Sequence, residues 1–287
     1  MRPTSWIVYL QIDELIPSRG SPVPGLDEFS ARLDHAGTPC VWLTNRTRLQ
    51  IDEPRRKMAH THPFIAEEGC GVYLPEDYFH LRPQSPRSGR AKPAETIRLG
   101  RFTCLPVAQP QPAASEALES LAAETGVSVV PLRSLPPREL AQNTGLQPRE
   151  AELARQRDFD ELFFFAGASA EQMNAFQSAA RNNDVQLRQR GSLWSLAIGA
   201  STSRCIRVLS ELYDRALHAH ARTVGIATAS EQKDLLSGCD RGIVLTTKQA
   251  ADGEQNQPAR RGARVLEVPL NSADVWDRLN SYLTEPR

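Results

Sequence analysis

Residues 6–14 read Trp6-Ile7-Val8-Tyr9-Leu10-Gln11-Ile12-Asp13-Glu14. A β-branched and aromatic run of this length suits a strand buried on both faces, and it stops at polar and acidic side chains. The same grammar returns at Cys40-Val41-Trp42-Leu43, Leu193–Ile198, Val224–Ala227, Gly242–Leu245 and Val265–Val268. Between these runs lie stretches with helical spacing: Leu26–Leu33, Arg204–His218, Glu231–Leu236, and a final one through Trp276, Leu279 and Leu283. In the second, Ile206, Leu209, Leu212, Tyr213 and Leu217 form one stripe. Strands alternating with helices imply an α/β fold with a doubly wound parallel sheet. Phe64-Ile65-Ala66 and Val72-Tyr73-Leu74 read as a strand pair.

The middle of the chain has another texture. Six prolines (Pro83, Pro86, Pro93, Pro106, Pro110, Pro112) fall within residues 83–112 and read as a surface loop or domain crossing. Helices are expected at Ser115–Glu124 and after Ser169, where Ser169-Ala170-Glu171-Gln172 has the form of a capping box. Phe163-Phe164-Phe165 between them reads as core. The expected organisation is a parallel core from residues 1–82 and 190–287, with a smaller α/β cap inserted at 83–189.

The chain has 287 residues, enough for about two domains. Lys plus Arg and Asp plus Glu both total 34. That balance argues against nucleic acid or an anionic membrane as partner, and the single pair Arg260-Arg261 does not alter it. No apolar run approaches the roughly 20 residues of a membrane helix, and Met1–Trp6 leads into a strand without a leader-like apolar stretch. Cys40, Cys70, Cys104, Cys205 and Cys239 are odd in number and scattered, which fits free thiols in a cytoplasmic protein.

Open α/β sheets bind ligands beyond the carboxyl ends of their strands. The residues expected there are Gln11, Asp13 and Glu14 after the first strand, and Thr44, Asn45, Arg46 and Thr47 after the second. Ser201-Thr202-Ser203-Arg204 and Thr228-Ala229-Ser230-Glu231-Gln232 stand at later junctions.

At these places the chain resembles the haloacid dehalogenase (HAD) superfamily, in its mannosyl-3-phosphoglycerate phosphatase branch. The family's Asp-x-Asp-Gly-Thr corresponds to Gln11-Ile12-Asp13-Glu14-Leu15, and its strand-ending Ser or Thr to Thr44. Its Phe-Ile-x-Glu-Asn-Gly-Gly-x-Tyr pattern is close to Phe64–Tyr73, and its cap pattern Arg-Glu-Phe-Asp-Glu-Pro-Phe to Arg157-Asp158-Phe159-Asp160-Glu161-Leu162-Phe163. The resemblance implies a HAD-like core with a cap, a phosphorylated sugar or sugar-glycerate as ligand, and Mg²⁺ as cofactor where hydrolysis operates.

The catalytic motifs depart from that pattern. The family's nucleophile is an aspartate that forms an aspartyl-phosphate; Gln11 stands there, and its amide is a poor nucleophile. The acid/base aspartate is kept as Asp13. Thr202 stands for the phosphate-neutralising Lys, with Arg204 two positions on. Thr228 and Gln232 replace metal-binding aspartates, and Glu231 is the neighbouring carboxylate. Loss of a single electrostatic partner costs about 10²–10³ in rate, so the substitutions together predict a pseudophosphatase without bound metal.

Each candidate has a plainer alternative. Asp13 serves equally as a turn residue, and Thr44 and Thr228 as helix caps. Arg46, Arg157 and Arg204 suit a phosphate or carboxylate clamp, or a solvated surface. Glu67 and Glu161 match motif positions but suit structural roles. His60-Thr61-His62 lacks a third metal ligand, and His218-Ala219-His220 suits a helix end. Three functions therefore stand side by side: an inactive phosphatase-like protein binding a phosphorylated sugar-type ligand or a protein partner through Thr44, Arg46, Arg157, Glu161, Thr202 and Arg204; an active Mg²⁺-dependent phosphatase using Asp13 or Glu14; and a structural or interaction subunit.

Overall fold

The computed structural model describes residues 6–18, 21–79, 96–228, 233–246 and 265–284. The first part of the chain runs β1 (Trp6–Gln11), α1 (Leu26–His35), β2 (Cys40–Leu43), α2 (Asp52–Lys57), β3 (Phe64–Ala66), β4 (Gly71–Pro75), β5 (Ile97–Leu99) and β6 (Phe102–Pro106). The middle contributes α3 (Gln111–Thr125), β7 (Val129–Pro131), α4 (Pro137–Thr144), α5 (Pro148–Arg155), β8 (Glu161–Phe165), α6 (Ala170–Asn182), β9 (Val185–Arg190) and β10 (Leu193–Ile198). The chain then adds α7 (Thr202–Leu217), β11 (Arg222–Ala227), α8 (Lys233–Ser237), β12 (Arg241–Thr246), β13 (Val265–Pro269) and α9 (Val275–Thr284).

A main sheet of order β13-β12-β11-β1-β2-β3-β4-β6-β5 is parallel from β13 to β3 and antiparallel beyond. Strand β1 lies at its centre, paired to β11 and β2, and is buried from both sides. Trp6, Val8 and Leu10 pack toward Phe29 and Leu33 of α1 and Trp276 and Leu279 of α9. Ile7 and Tyr9 pack toward Ile206 and Leu209 of α7 and Leu235 of α8. A strand covered on both faces needs an unbroken apolar run, which is what residues 6–10 supply.

A second, four-stranded antiparallel sheet has the order β7-β8-β10-β9. Helices α3 and α6 cover one face through Leu118, Leu121, Phe176 and Ala180, which enclose Phe163 and Trp194. The capping box at Ser169 and Gln172 is formed. Helices α4 and α5 were not anticipated. Each is a short element opened by proline at its first turn, and each buries only one or two side chains, too few for a periodic signal.

The sheets move the boundaries expected from sequence. Strands β5 and β6 belong to the main sheet, so the insert begins after Pro106 rather than at residue 83. The prolines hid this edge, because Phe102 and Cys104 are buried in the main core while Pro106 ends the strand. Strand β10 belongs to the second sheet, so the insert continues past residue 189 to Ile198. Its composition matches that of a core strand, and only its antiparallel pairing to β8 and β9 tells it apart. Residues 83–95 of the proline-rich stretch and Arg260-Arg261 lie outside the described residues, as do Ser230, Glu231 and Gln232.

All five cysteines are free and buried, and no helix among the described residues is long and apolar enough to cross a membrane. The His60–His62 pair is absorbed by structure. His60 stacks on Trp42 with centroids 4.0 Å apart, and its two ring nitrogens meet Cys40 O and Arg55 Nε. Burial, helped by the Arg55 charge, pushes His60 down to about 3. Below the usual histidine value of about 6.5 the unfolded chain takes up a proton that the folded chain refuses. His60 thus favours the folded state above that value, and the advantage is lost as pH falls toward 3. In urea titrations at descending pH, stability should fall by up to about 1.4 kcal/mol per pH unit across this window. His60→Gln should flatten that slope.

Candidate functional site

The carboxyl ends of β1 and β2 open on a small cavity lined by Gln11, Asp13, Thr44, Asn45, Glu68, Gly69, Thr202 and the apolar Leu43, Ile65 and Leu235. It lies where the chain passes from β1 to β2 on one side and β11 on the other, the position at which doubly wound sheets hold ligands. Its volume is about 30 Å³, above the roughly 10–15 Å³ that a single water needs.

Asp13 is tightly engaged. Thr44 Oγ1 donates to Oδ1 at 2.5 Å and the Asn45 amide to Oδ2 at 2.9 Å, with Arg46 Nε 3.6 Å from Oδ1. Burial pushes the carboxyl up, while Arg46, Thr44, Asn45 and the more distant Arg190 pull it down. Arg46 is itself buried and donates to the carbonyls of Asp13 and Ile16. It braces the loop after β1 and is not a solvated surface arginine. Gln11 extends the line of β1 into the cavity, where its Oε1 lies 3.4 Å from both Thr228 N and Oγ1. Glu14 is exposed and does not line the cavity.

The opposite wall is the loop between β3 and β4. Glu67, Glu68 and Gly69 all adopt positive φ, at 51°, 56° and 92°. Only Gly69 fits its place, because a Cβ there would lie 2.5 Å from Thr202 N and 2.7 Å from Thr202 Oγ1. The Gly69 carbonyl also accepts from Ser201 N at 2.9 Å, so the loop packs against the first turn of α7 and seats Thr202.

Glu67 joins the insert to the main sheet. Its Oε1 accepts the Asp158 amide at 2.9 Å, and its Oε2 the amides of Phe159 and Asp160 at 2.9 and 3.0 Å. Arg157, buried against Asp160, also donates to Asn45 O at 2.8 Å. Asp158 receives Arg48 Nε and the Tyr73 hydroxyl, both at 2.8 Å. Burial and the nearby Asp160 push the Glu67 carboxyl up, against the pull of Arg157 and the Asp158 amide. The motif-matched residues of 157–160 are thus a joint between two sheets, and Arg157 is not presented to the cavity.

Two further expected residues stand apart. Glu161 turns into the insert, where it accepts from Ser115 Oγ and Gln111 Nε2 and pairs with Arg133 at 3.1 Å. Arg204 is exposed and borders an open groove beside α7. Conversely, Arg188 and Arg190 reach the mouth of the cavity from β9, although nothing had singled them out. Arg190 Nη2 is 2.6 Å from Glu68 Oε2, and Arg188 Nη1 is 2.5 Å from Glu68 O. The signal was an Arg-x-Arg alternation, which on a strand places both side chains on one face.

Among the described residues the donor set does not fit Mg²⁺. That ion favours near-octahedral oxygen coordination with one or two carboxylates. The cavity's two carboxylates, Asp13 and Glu68, both face guanidinium groups, and both Asp13 oxygens already accept hydrogen bonds. Among the described residues no three His, Cys, Asp or Glu side chains converge.

No family model matches the chain. Over 219 residues it is 22% identical to a glucosyl-3-phosphoglycerate/mannosyl-3-phosphoglycerate phosphatase of Methanococcoides burtonii, covering 75% of this chain and 74% of that one. A protein of the same description from Persephonella marina is 19% identical, with 78% and 76% covered. Among solved structures, a phosphatase of the HAD superfamily from Bacteroides thetaiotaomicron aligns over 98% of this chain and 96% of that chain, with a TM-score of 0.62 and 12% identity. The chain has the fold of HAD-superfamily hydrolases, a parallel core sheet with a cap, and resembles mannosyl-3-phosphoglycerate phosphatases in sequence.

The joint at Glu67 makes a measurable prediction. Glu67→Gln keeps one acceptor oxygen and sets an NH₂ group against a backbone donor. Equilibrium urea unfolding should show a loss of about 2–4 kcal/mol, the range for orphaning one or two buried donors.

Proposed function

We propose that this chain holds the phosphate of a phosphorylated sugar or sugar-glycerate at the carboxyl ends of β1 and β2, without turning it over through an aspartyl-phosphate. The observation that carries this reading is the pairing of Gln11 with Asp13. An amide stands where the nucleophilic carboxylate would be, and the remaining aspartate is committed to Thr44 and Asn45. Thr202, in the first turn of α7, presents a hydroxyl and a helix N-terminus that suit a phosphate ester, whereas the Thr44 hydroxyl is already given to Asp13. The class of ligand comes from the similarity to sugar-phosphoglycerate phosphatases.

A second reading is an active phosphatase. The comparisons speak for it more than for an inactive protein, since these curated relatives are named phosphatases. In that version Asp13 is the carboxylate left at the cavity floor, and its raised proton affinity suits an acid/base role rather than that of a nucleophile. The site then works without the family's covalent intermediate.

Phosphate release from mannosyl- and glucosyl-3-phosphoglycerate, with and without Mg²⁺, separates the two. The expected result is release at background, together with a rise in melting temperature on adding the ligand. Ligand at about 100 times its Kd contributes about 2.7 kcal/mol of stability. Mg²⁺-dependent release by the unaltered protein would overturn the first reading, and Asp13→Asn would then test the second. Gln11→Asp should remain close to background, because it restores one carboxylate while Asp13 stays bound by Thr44 and Asn45.

A further inference from the structure

Arg188 and Arg190 project from the same face of β9 toward the cavity mouth, and both meet Glu68. Arg190 places Nε and Nη2 at 3.2 and 2.6 Å from Glu68 Oε2, and also donates to Asn45 O at 3.1 Å. Arg188 donates to the Glu68 carbonyl, and its Nη1 lies 3.7 Å from Glu68 Oε2. Arg190 has Asp160 as a more distant acidic neighbour at 3.7 Å, and Arg188 lies between the Glu68 carboxylate and Asp234, each 3.7 Å away. The contact is partly enclosed, with side-chain exposures of 26% for Arg188, 16% for Arg190 and 23% for Glu68.

Glu68 is an unusual residue for its position. Its φ of 56° lies in the left-handed region, which Asn, Asp and Gly adopt more readily than a long side chain. The backbone here is fixed by hydrogen bonds from Glu67 N to Arg46 O and from Glu68 N to Thr44 O. A carboxylate is therefore held at the rim of the cavity, where it engages two guanidinium groups on the far side.

We propose that Arg188 and Arg190 form a receptor for a carboxylate of the ligand, and that Glu68 is the built-in competitor that occupies it when no ligand is present. This rests on the phosphate-binding reading of the cleft and narrows its ligand to the sugar-glycerate class, which carries a carboxylate as a second anionic group. Planar guanidinium groups on one strand face suit a carboxylate. The Glu68 carboxylate marks the place where such a group is received. Its contact also ties β9 to the β3–β4 loop, so ligand entry exchanges an internal carboxylate for an external one and loosens that tie, while the Glu67 joint stays in place.

The test compares 3-phosphoglycerate, which carries both groups, with glycerol 3-phosphate, which lacks the carboxylate. Glu68→Asn removes the competing charge and places a residue suited to positive φ, so the loop is retained. Glu68→Gln serves as a second variant of unchanged length. By calorimetry Glu68→Asn should bind 3-phosphoglycerate about five-fold more tightly, the upper worth of one partly exposed ion pair. Its affinity for glycerol 3-phosphate should stay within about two-fold of the parent value. Arg190→Gln in the Glu68→Asn background should abolish the gain. Without any ligand, hydrogen exchange of the β9 amides should be faster in both Glu68 variants.

An unchanged affinity for 3-phosphoglycerate, or an equal gain for both esters, overturns the proposal while leaving the phosphate-binding reading in place. Failure of both esters to bind any of these proteins removes both readings.

Discussion

One carboxylate joins the two halves of this molecule. Glu67 sits in the loop between two strands of the main sheet and accepts three consecutive backbone amides from the segment that enters β8. Consecutive amides point one way only when the chain curls around an acceptor, so Glu67 sets the shape of residues 158–160 as well as their place. Arg157, Asp158 and Phe159 then fall onto Asn45, Arg48 and Gly71 of the main domain. Gly71 has no room for a side chain, since a Cβ would come within 2.8 Å of Phe159. The second sheet hangs from this joint, and with it the arginines of β9.

The same loop explains why the cavity has its particular chemistry. Its three residues of positive φ turn the chain sharply enough for Glu67 to face the joint and Glu68 to face β9. Gly69 then packs against the first turn of α7. A single turn thus serves the joint, the rim and the back wall. The floor is arranged with equal economy of parts, as Thr44 donates its hydroxyl to Asp13 and accepts the Arg46 amide at 3.1 Å.

Much of the main sheet was legible because its strands are buried on both faces and cannot conceal their apolar runs. Gln11, Asp13, Thr44 and Thr202 were legible for a related reason, as the first polar residues after such runs or at a helix start. The errors arose where composition and topology diverge. Leu193–Ile198 reads like a central strand yet pairs antiparallel in the insert, and β6 is masked by the prolines around it. Arg157 and Glu161 matched motif positions, but a motif does not show which way a side chain turns. Both are spent on internal contacts. Arg188 and Arg190 escaped notice because two arginines on a strand look like any solvated edge until the opposite loop is known.

The contact between Arg190 and Glu68 carries a kinetic meaning. An external carboxylate can take its place only in molecules where the contact has parted, and a measured affinity is then lowered by the fraction of molecules in which it has done so. Association should show a ceiling: at high ligand concentration the observed rate levels off at the speed of this parting. The duration of a binding event is governed by that exchange as much as by the other groups that grip the ligand.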